Sequence, residues 1–120
     1  MALSNTWLAS ASRTTAQTSS DIDTQAFRHL TVTLDVTDVS ASPSITLSIE
    51  GKDVASGKYR TLLAGAAVAT AVTNVYRVTQ GVVAAAANTS AVDVLPQFIR
   101  FKVAVADAHA AVYSVGYDLS

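Results

Sequence analysis

The chain has no cysteine, two prolines and one tryptophan in 120 residues, and charged side chains make up only 14% of it. The missing cysteines exclude disulfides and thiolate metal sites. A formal net charge of −1 excludes the basic footprint that non-specific nucleic-acid binding needs to displace counterions. No run approaches the eighteen or so apolar residues of a helical membrane span. The most apolar window, Leu62 to Val72, is mostly alanine and is broken by Gly65 and Thr70. The opening residues show neither a basic stretch nor a continuous apolar core, so no secretion leader is expected and synthesis is expected in the cytoplasm.

What is present is half hydrophobic, enough for one self-sufficient domain at this length. Ala, Val, Thr and Ser dominate, whereas aromatics are 7%. Small and β-branched residues suit pleated strands. Low charge leaves little self-repulsion between copies, which favours assembly.

The first 24 residues are rich in Ser, Thr, Ala, Gln and Asn, with Trp7 and Leu8 as apolar anchors. They are expected to form a polar N-terminal arm or an edge strand, followed by a single domain over residues 25–120. Apolar Leu30, Val32, Leu34 and Val36 alternate with Thr31, Thr33, Asp35 and Thr37. That is the period of a strand with one buried face. Asp38, Ser40, Ser42 and Pro43 supply turn chemistry. Ile45, Leu47 and Ile49 resume the alternation, which predicts a hairpin between these two strands. Gly51 and Gly57 bracket a polar loop, and Tyr59 to Leu63 begins a further strand. Ala64 to Thr70 is ambiguous, because alanine favours helix and its neighbours do not. Val72 to Val78 reads as a strand, and Val83 to Ala87 as a short helical turn stopped by Asn88, Thr89 and Ser90. Alternation returns over Ile99, Phe101, Val103 and Val105, with Pro96 just ahead. A turn at Asp107 to Ala110 leads to a last strand through Ala111, Tyr113, Val115, Tyr117 and Leu119. The sum is an all-β antiparallel sandwich of about six to eight strands, with an open β-barrel as the alternative.

No catalytic constellation emerges. His29 and His109 are the two histidines. Asp107 is the local acid that could join His109 on a metal, but Asp-Ala-His reads better as a solvated turn. No serine sits in a G-x-S-x-G elbow. Asp21 and Asp23 read as solvated acids of the arm. The segment Gly51 to Lys58 fails the phosphate-loop spacing: five residues separate its glycines, and Tyr59 follows the lysine. Asn88-Thr89-Ser90 matches a glycosylation acceptor, and is expected to be without consequence because no secretion signal is expected. Arg13, Arg28, Arg60, Arg77 and Arg100 are dispersed and are expected to pair with acids on sheet faces. No metal and no cofactor is expected, and neither nucleic acid nor membrane as a partner.

GKDVASGKYRTLL (51–63), DVLPQFIRFKV (93–103) and YSVGYDL (113–119) together resemble small virion structural proteins of tailed bacteriophages, in particular capsid decoration, or cement, proteins. The resemblance runs from about Leu30 to the end. It implies a β-sandwich on the outer surface of a phage head, without an active site. The implied partners are the major capsid protein and further copies of the chain. On that reading Trp7, Leu8 and Arg13 are expected contacts, since Trp and Arg are enriched at interface hot spots. Lys52, Asp53, Lys58 and Tyr59 form the second set. Burial of Trp7 in the core is the competing reading. The alternative functions are a neck or tail protein, and a glycan- or ligand-binding module offering Tyr59 and Tyr76 as exposed aromatics.

Overall fold

A computed structural model gives the fold and describes residues 2–41, 43–81, 84–106 and 109–120. It is all-β, with ten strands and no helix among the described residues: β1 (Leu3–Arg13), β2 (Gln17–Thr18), β3 (Ile22–Asp23), β4 (Leu30–Val39), β5 (Ile45–Lys52), β6 (Tyr59–Ala64), β7 (Val72–Thr79), β8 (Ser90–Val92), β9 (Phe98–Val105) and β10 (Ala111–Leu119). The count exceeds the expected six to eight because β2, β3 and β8 are only two or three residues long.

The strands form two sheets, in the orders β1-β10-β4-β7-β8 and β2-β9-β5-β6, with β3 also paired to β9. They do not join into a barrel. All pairs are antiparallel except β7 with β8. The core lies between the sheets and is built from the alternating apolar positions. Leu30, Val32, Leu34 and Val36 are at most 3% exposed, as are Ile45, Leu47 and Ile49. Ile99, Phe101 and Val103 of β9 stand beside the β5 residues, and Ala111, Tyr113 and Val115 of β10 beside those of β4. Burial of such side chains is the main favourable contribution to folding.

Strands β4 and β5 do not form the expected hairpin. β4 pairs with β10 and β7, whereas β5 pairs with β9 and β6. The turn between them carries the chain from one sheet to the other. The β9–β10 connection crosses beside it: the Ser40 amide donates to the Ala110 carbonyl at 3.0 Å, and the Ala110 amide to the Ser40 hydroxyl at 3.2 Å. Alternation marks which side of a strand is buried, and both strands bury theirs in the same core. It does not say which neighbour shares the ladder.

The alanine-rich stretches are not helical. After β6, Val68 returns to bridge Ile45 through reciprocal backbone bonds of 3.1 and 2.7 Å. Of the expected helical turn, Val83 lies outside the described residues, and Ala84 to Ala87 is irregular, with Ala86 bridging Ser90. Ser42 and Asp107 of the expected turns also lie outside the described residues. Gly65 marks a close approach. A Cβ there would meet the Leu47 carbonyl oxygen at 2.9 Å and Tyr76 Cε1 at 2.8 Å, so any larger residue collides with backbone.

Candidate functional site

At one end of the sandwich β4, β9 and β6 begin, β5, β7 and β10 end, and β1 starts. Three features meet there: the Asp53–Lys58 loop, the residues after β8, and the segment between β2 and β3. The loop is held by its own backbone. The Asp53 amide donates to the Lys58 carbonyl at 2.8 Å and the Gly57 amide to the Asp53 carbonyl at 2.7 Å. Gly57 takes φ +74, a left-handed value that glycine adopts without strain. The Asp53 carboxylate accepts from the Ser56 hydroxyl at 2.7 Å and the Ser56 amide at 3.3 Å. Those bonds favour its charged form and lower its pKa. This tight turn leaves Val54 projecting, 62% exposed.

Val92 and Val94, 52% and 63% exposed, flank Asp93, which pairs with Arg60 at 3.3 Å. Leu3, 44% exposed, belongs to the same end. Among the described residues, four of the five large hydrophobics with high exposure therefore share this end; Val72, at the start of β7, lies at the other. Leu3 stands on the β1 edge and Val92 on the β8 edge of the same sheet, and exposed aliphatics beside charged residues such as Asp93 and Arg60 are a common make-up of protein-binding surface.

Beside the patch, on the outer face of the second sheet, five polar side chains from four segments converge. Asp21 accepts from Lys52 Nζ at 2.8 Å and from the Tyr59 hydroxyl at 2.5 Å. The guanidinium of Arg100 lies over the Tyr59 ring, 3.5 Å from its centroid, and donates through Nε to Glu50 at 2.7 Å. The register explains the convergence, because Lys52 sits opposite Tyr59 and Glu50 opposite Arg100. The hydrogen bonds from Lys52 and then Tyr59 lower the Asp21 pKa, while the bond to Asp21 raises both Lys52 and Tyr59. The network latches residues 19–24 to the sheet. The shifts carry Asp21, Lys52 and Tyr59 further from neutral pH, and the three act together as a hydrogen-bonded clasp.

Of the expected contacts, Lys52, Asp53, Lys58 and Tyr59 therefore do share one end, but Lys52 and Tyr59 are engaged with Asp21. Trp7, Leu8 and Arg13 lie on β1, an edge strand paired with β10. Trp7 is partly buried, 5.7 Å from Phe101 between ring centroids. Arg13 donates to the carbonyls of Ala9, Ala11 and Tyr113 and lies 4.9 Å from the Tyr113 ring centroid. Tyr76 is only 3% exposed, which removes it as the surface aromatic of a glycan-binding module; its alternation with Val78 puts it in the core. Asp21, Glu50 and Arg100 went unnamed as site residues in the sequence. The signal for Glu50 and Arg100 was their outward parity on adjacent strands; Asp21 gave none.

His29 precedes β4 and His109 precedes β10, at opposite ends of the sandwich. Asp107 lies outside the described residues, and no cluster of three metal-binding side chains occurs among the described ones.

No family profile matches the chain, and no curated protein matches it. Among solved structures, the SPBc2 prophage-derived protein YomS is similar, with a TM-score of 0.58 at 15% identity, over 100% of this chain and 94% of that one. The likeness is one of fold.

Proposed function

We propose that this chain is a non-enzymatic structural protein of a tailed-phage particle, a decoration protein seated on the outer surface of the head against the major capsid protein. The observation that carries the reading is the end-to-end fold likeness to a prophage-derived protein. The short motifs that resemble virion proteins agree with it. The contact surface is the end that carries Val54, Val92, Val94 and Lys58, where apolar side chains stand exposed in a rigid, backbone-bonded frame. A symmetric shell offers many equivalent sites, so copies joined to one another gain avidity from a modest patch of this kind.

Quantitative peptide mass spectrometry of purified virions tests the role. Abundance comparable with the major capsid protein is the expected result. A small copy number moves the chain to the neck or tail, and absence from particles discards the reading. Val54→Asp tests the surface. It should weaken binding of the purified protein to heads while leaving the melting temperature unchanged, because Val54 lies outside the core.

A further inference from the structure

The first 24 residues join the ladders of the sandwich only at its edges, while Trp7, Leu8 and Ile22 pack against the core and Asp21 bonds Lys52 and Tyr59. β1 pairs with β10 alone, and β2 and β3 pair with β9 alone. Without them the sheets β10-β4-β7-β8 and β9-β5-β6 would still be contiguous. The arm therefore occupies two strand edges, on β10 and β9, that the body presents to it.

Strand β1 is irregular, and several of its backbone groups are taken by its own side chains. Two register shifts, at Thr6/Leu8 and Leu8/Ala11, break its regularity. The Thr6 amide is taken by the Asn5 side-chain oxygen at 2.8 Å, and Arg13 covers the carbonyls of Ala9 and Ala11. Bulges and occupied backbone groups of this kind guard an edge against strand addition. These features work against a β1-to-β1 junction between copies.

What remains open is exchange. The arm is tied to the body by Gln25 to His29, a turn in which Gln25, Ala26 and Arg28 are exposed. Five residues reach about 17 Å when extended. An arm that swings out over this connection finds on a second copy the same β10 and β9 edges, the same Phe101 for Trp7, and the same Lys52 and Tyr59 for Asp21. The contacts are identical in the two arrangements, which is why exchange costs little beyond the hinge. The net charge of −1 adds no barrier to the meeting of copies.

We infer that residues 1–24 are an exchangeable arm, and that the partner they fit is a second copy of this chain. The inference concerns the isolated protein and is independent of the phage reading.

The chain contains no cysteine, so introduced cysteines report without background. Ser12 and Val112 face each other across β1 and β10, and cross-strand neighbours lie within disulfide reach. In the double variant Ser12→Cys, Val112→Cys, oxidation locks the arm to whichever body it occupies. The expected result is a disulfide-linked dimer on a non-reducing gel that grows with protein concentration from micromolar to millimolar and after refolding at the upper end. Neither single variant should match it. A monomer band alone at every concentration overturns the inference. A second variant, deletion of Gln25 and Ala26, shortens the connection so that the arm cannot fold back. It should shift the chain from monomer to dimer in sedimentation, and a folded monomer after that deletion equally overturns exchange.

Discussion

The indole of Trp7 on β1 lies 5.7 Å from the ring of Phe101 on β9, tilted by 44°, so one side chain of the edge strand spans the gap between the two sheets. It does so at a bulge. Thr6 pairs with Gly116 and Leu8 with Val115, which leaves Trp7 as the extra residue. A bulge re-aims the side chain it frees, and here the freed ring lands on Phe101. Phe101 in turn packs on Tyr117 at 5.1 Å.

Trp7→Ala should therefore destabilise the fold, by about 2 to 3 kcal/mol for a partly buried aromatic. Chemical denaturation measures it. An unchanged midpoint would free Trp7 from a packing role and return it to the surface as a contact for another protein.

Gly65→Ala should cost about 1 to 3 kcal/mol, the usual range for overpacking. The added methyl meets a main-chain oxygen of β5 on one side and the Tyr76 ring on the other. Thermal unfolding of the variant against the parent protein decides the matter, and equal melting temperatures would contradict the close approach.

Tyr113 is 1% exposed, yet its hydroxyl has no hydrogen-bond partner among the described residues. Burial raises its pKa, against a smaller opposing effect of Arg13. An unsatisfied buried hydroxyl costs about 1 to 3 kcal/mol. Tyr113→Phe should accordingly be neutral or stabilising, where a core tyrosine with a bonded hydroxyl would lose stability. Equilibrium unfolding in urea distinguishes the two.

The Asp21 clasp should hold over a defined pH window. The folded Asp21 pKa lies below its ordinary 3.8, so its contribution is full above 3.8 and is lost as pH falls through the lower folded value. Lys52 and Tyr59 lie above their ordinary 10.5 and 10.0. Their contributions are full below those values and are lost as pH rises through the folded ones. Titration of the Asp21 carboxyl by NMR checks the acid side, and a midpoint at or above 3.8 would dismiss the clasp. At neutral pH, Asp21→Asn should speed hydrogen exchange at the amides of Ser19 and Thr24, which bond to the carbonyls of Phe101 and Gln97.

The interior strands were legible because their chemistry repeats with the pleat. Leu30 to Val36 and Ile99 to Val103 carry one apolar side chain every second residue, and all those positions are buried. β1 carries no such mark. Its Ser, Thr and Ala residues are similar on both faces, its side chains are largely exposed, and its bulges shift the parity between Thr6 and Ala11. Tyr76 was misplaced for a related reason: a tyrosine in a strand is equally at home with its ring in the core or on the surface. The loop residues Lys52, Asp53, Lys58 and Tyr59 could be named as a group because they are close in sequence. Their partner Asp21 could not, since it lies 31 residues from Lys52 and 38 from Tyr59.

Sequence alone determined the class of fold, the strands of the core and which side of each is buried, because those depend on the local match between hydrophobic period and pleat. Tertiary structure decided the rest. It sent β4 and β5 to opposite sheets, set β1 on the rim of β10, turned Trp7 inward and drew Asp21 onto Lys52 and Tyr59. Each of these is a choice among neighbours that offer the same backbone hydrogen bonds, and such a choice is made by the packing of the whole core rather than by any stretch of chain.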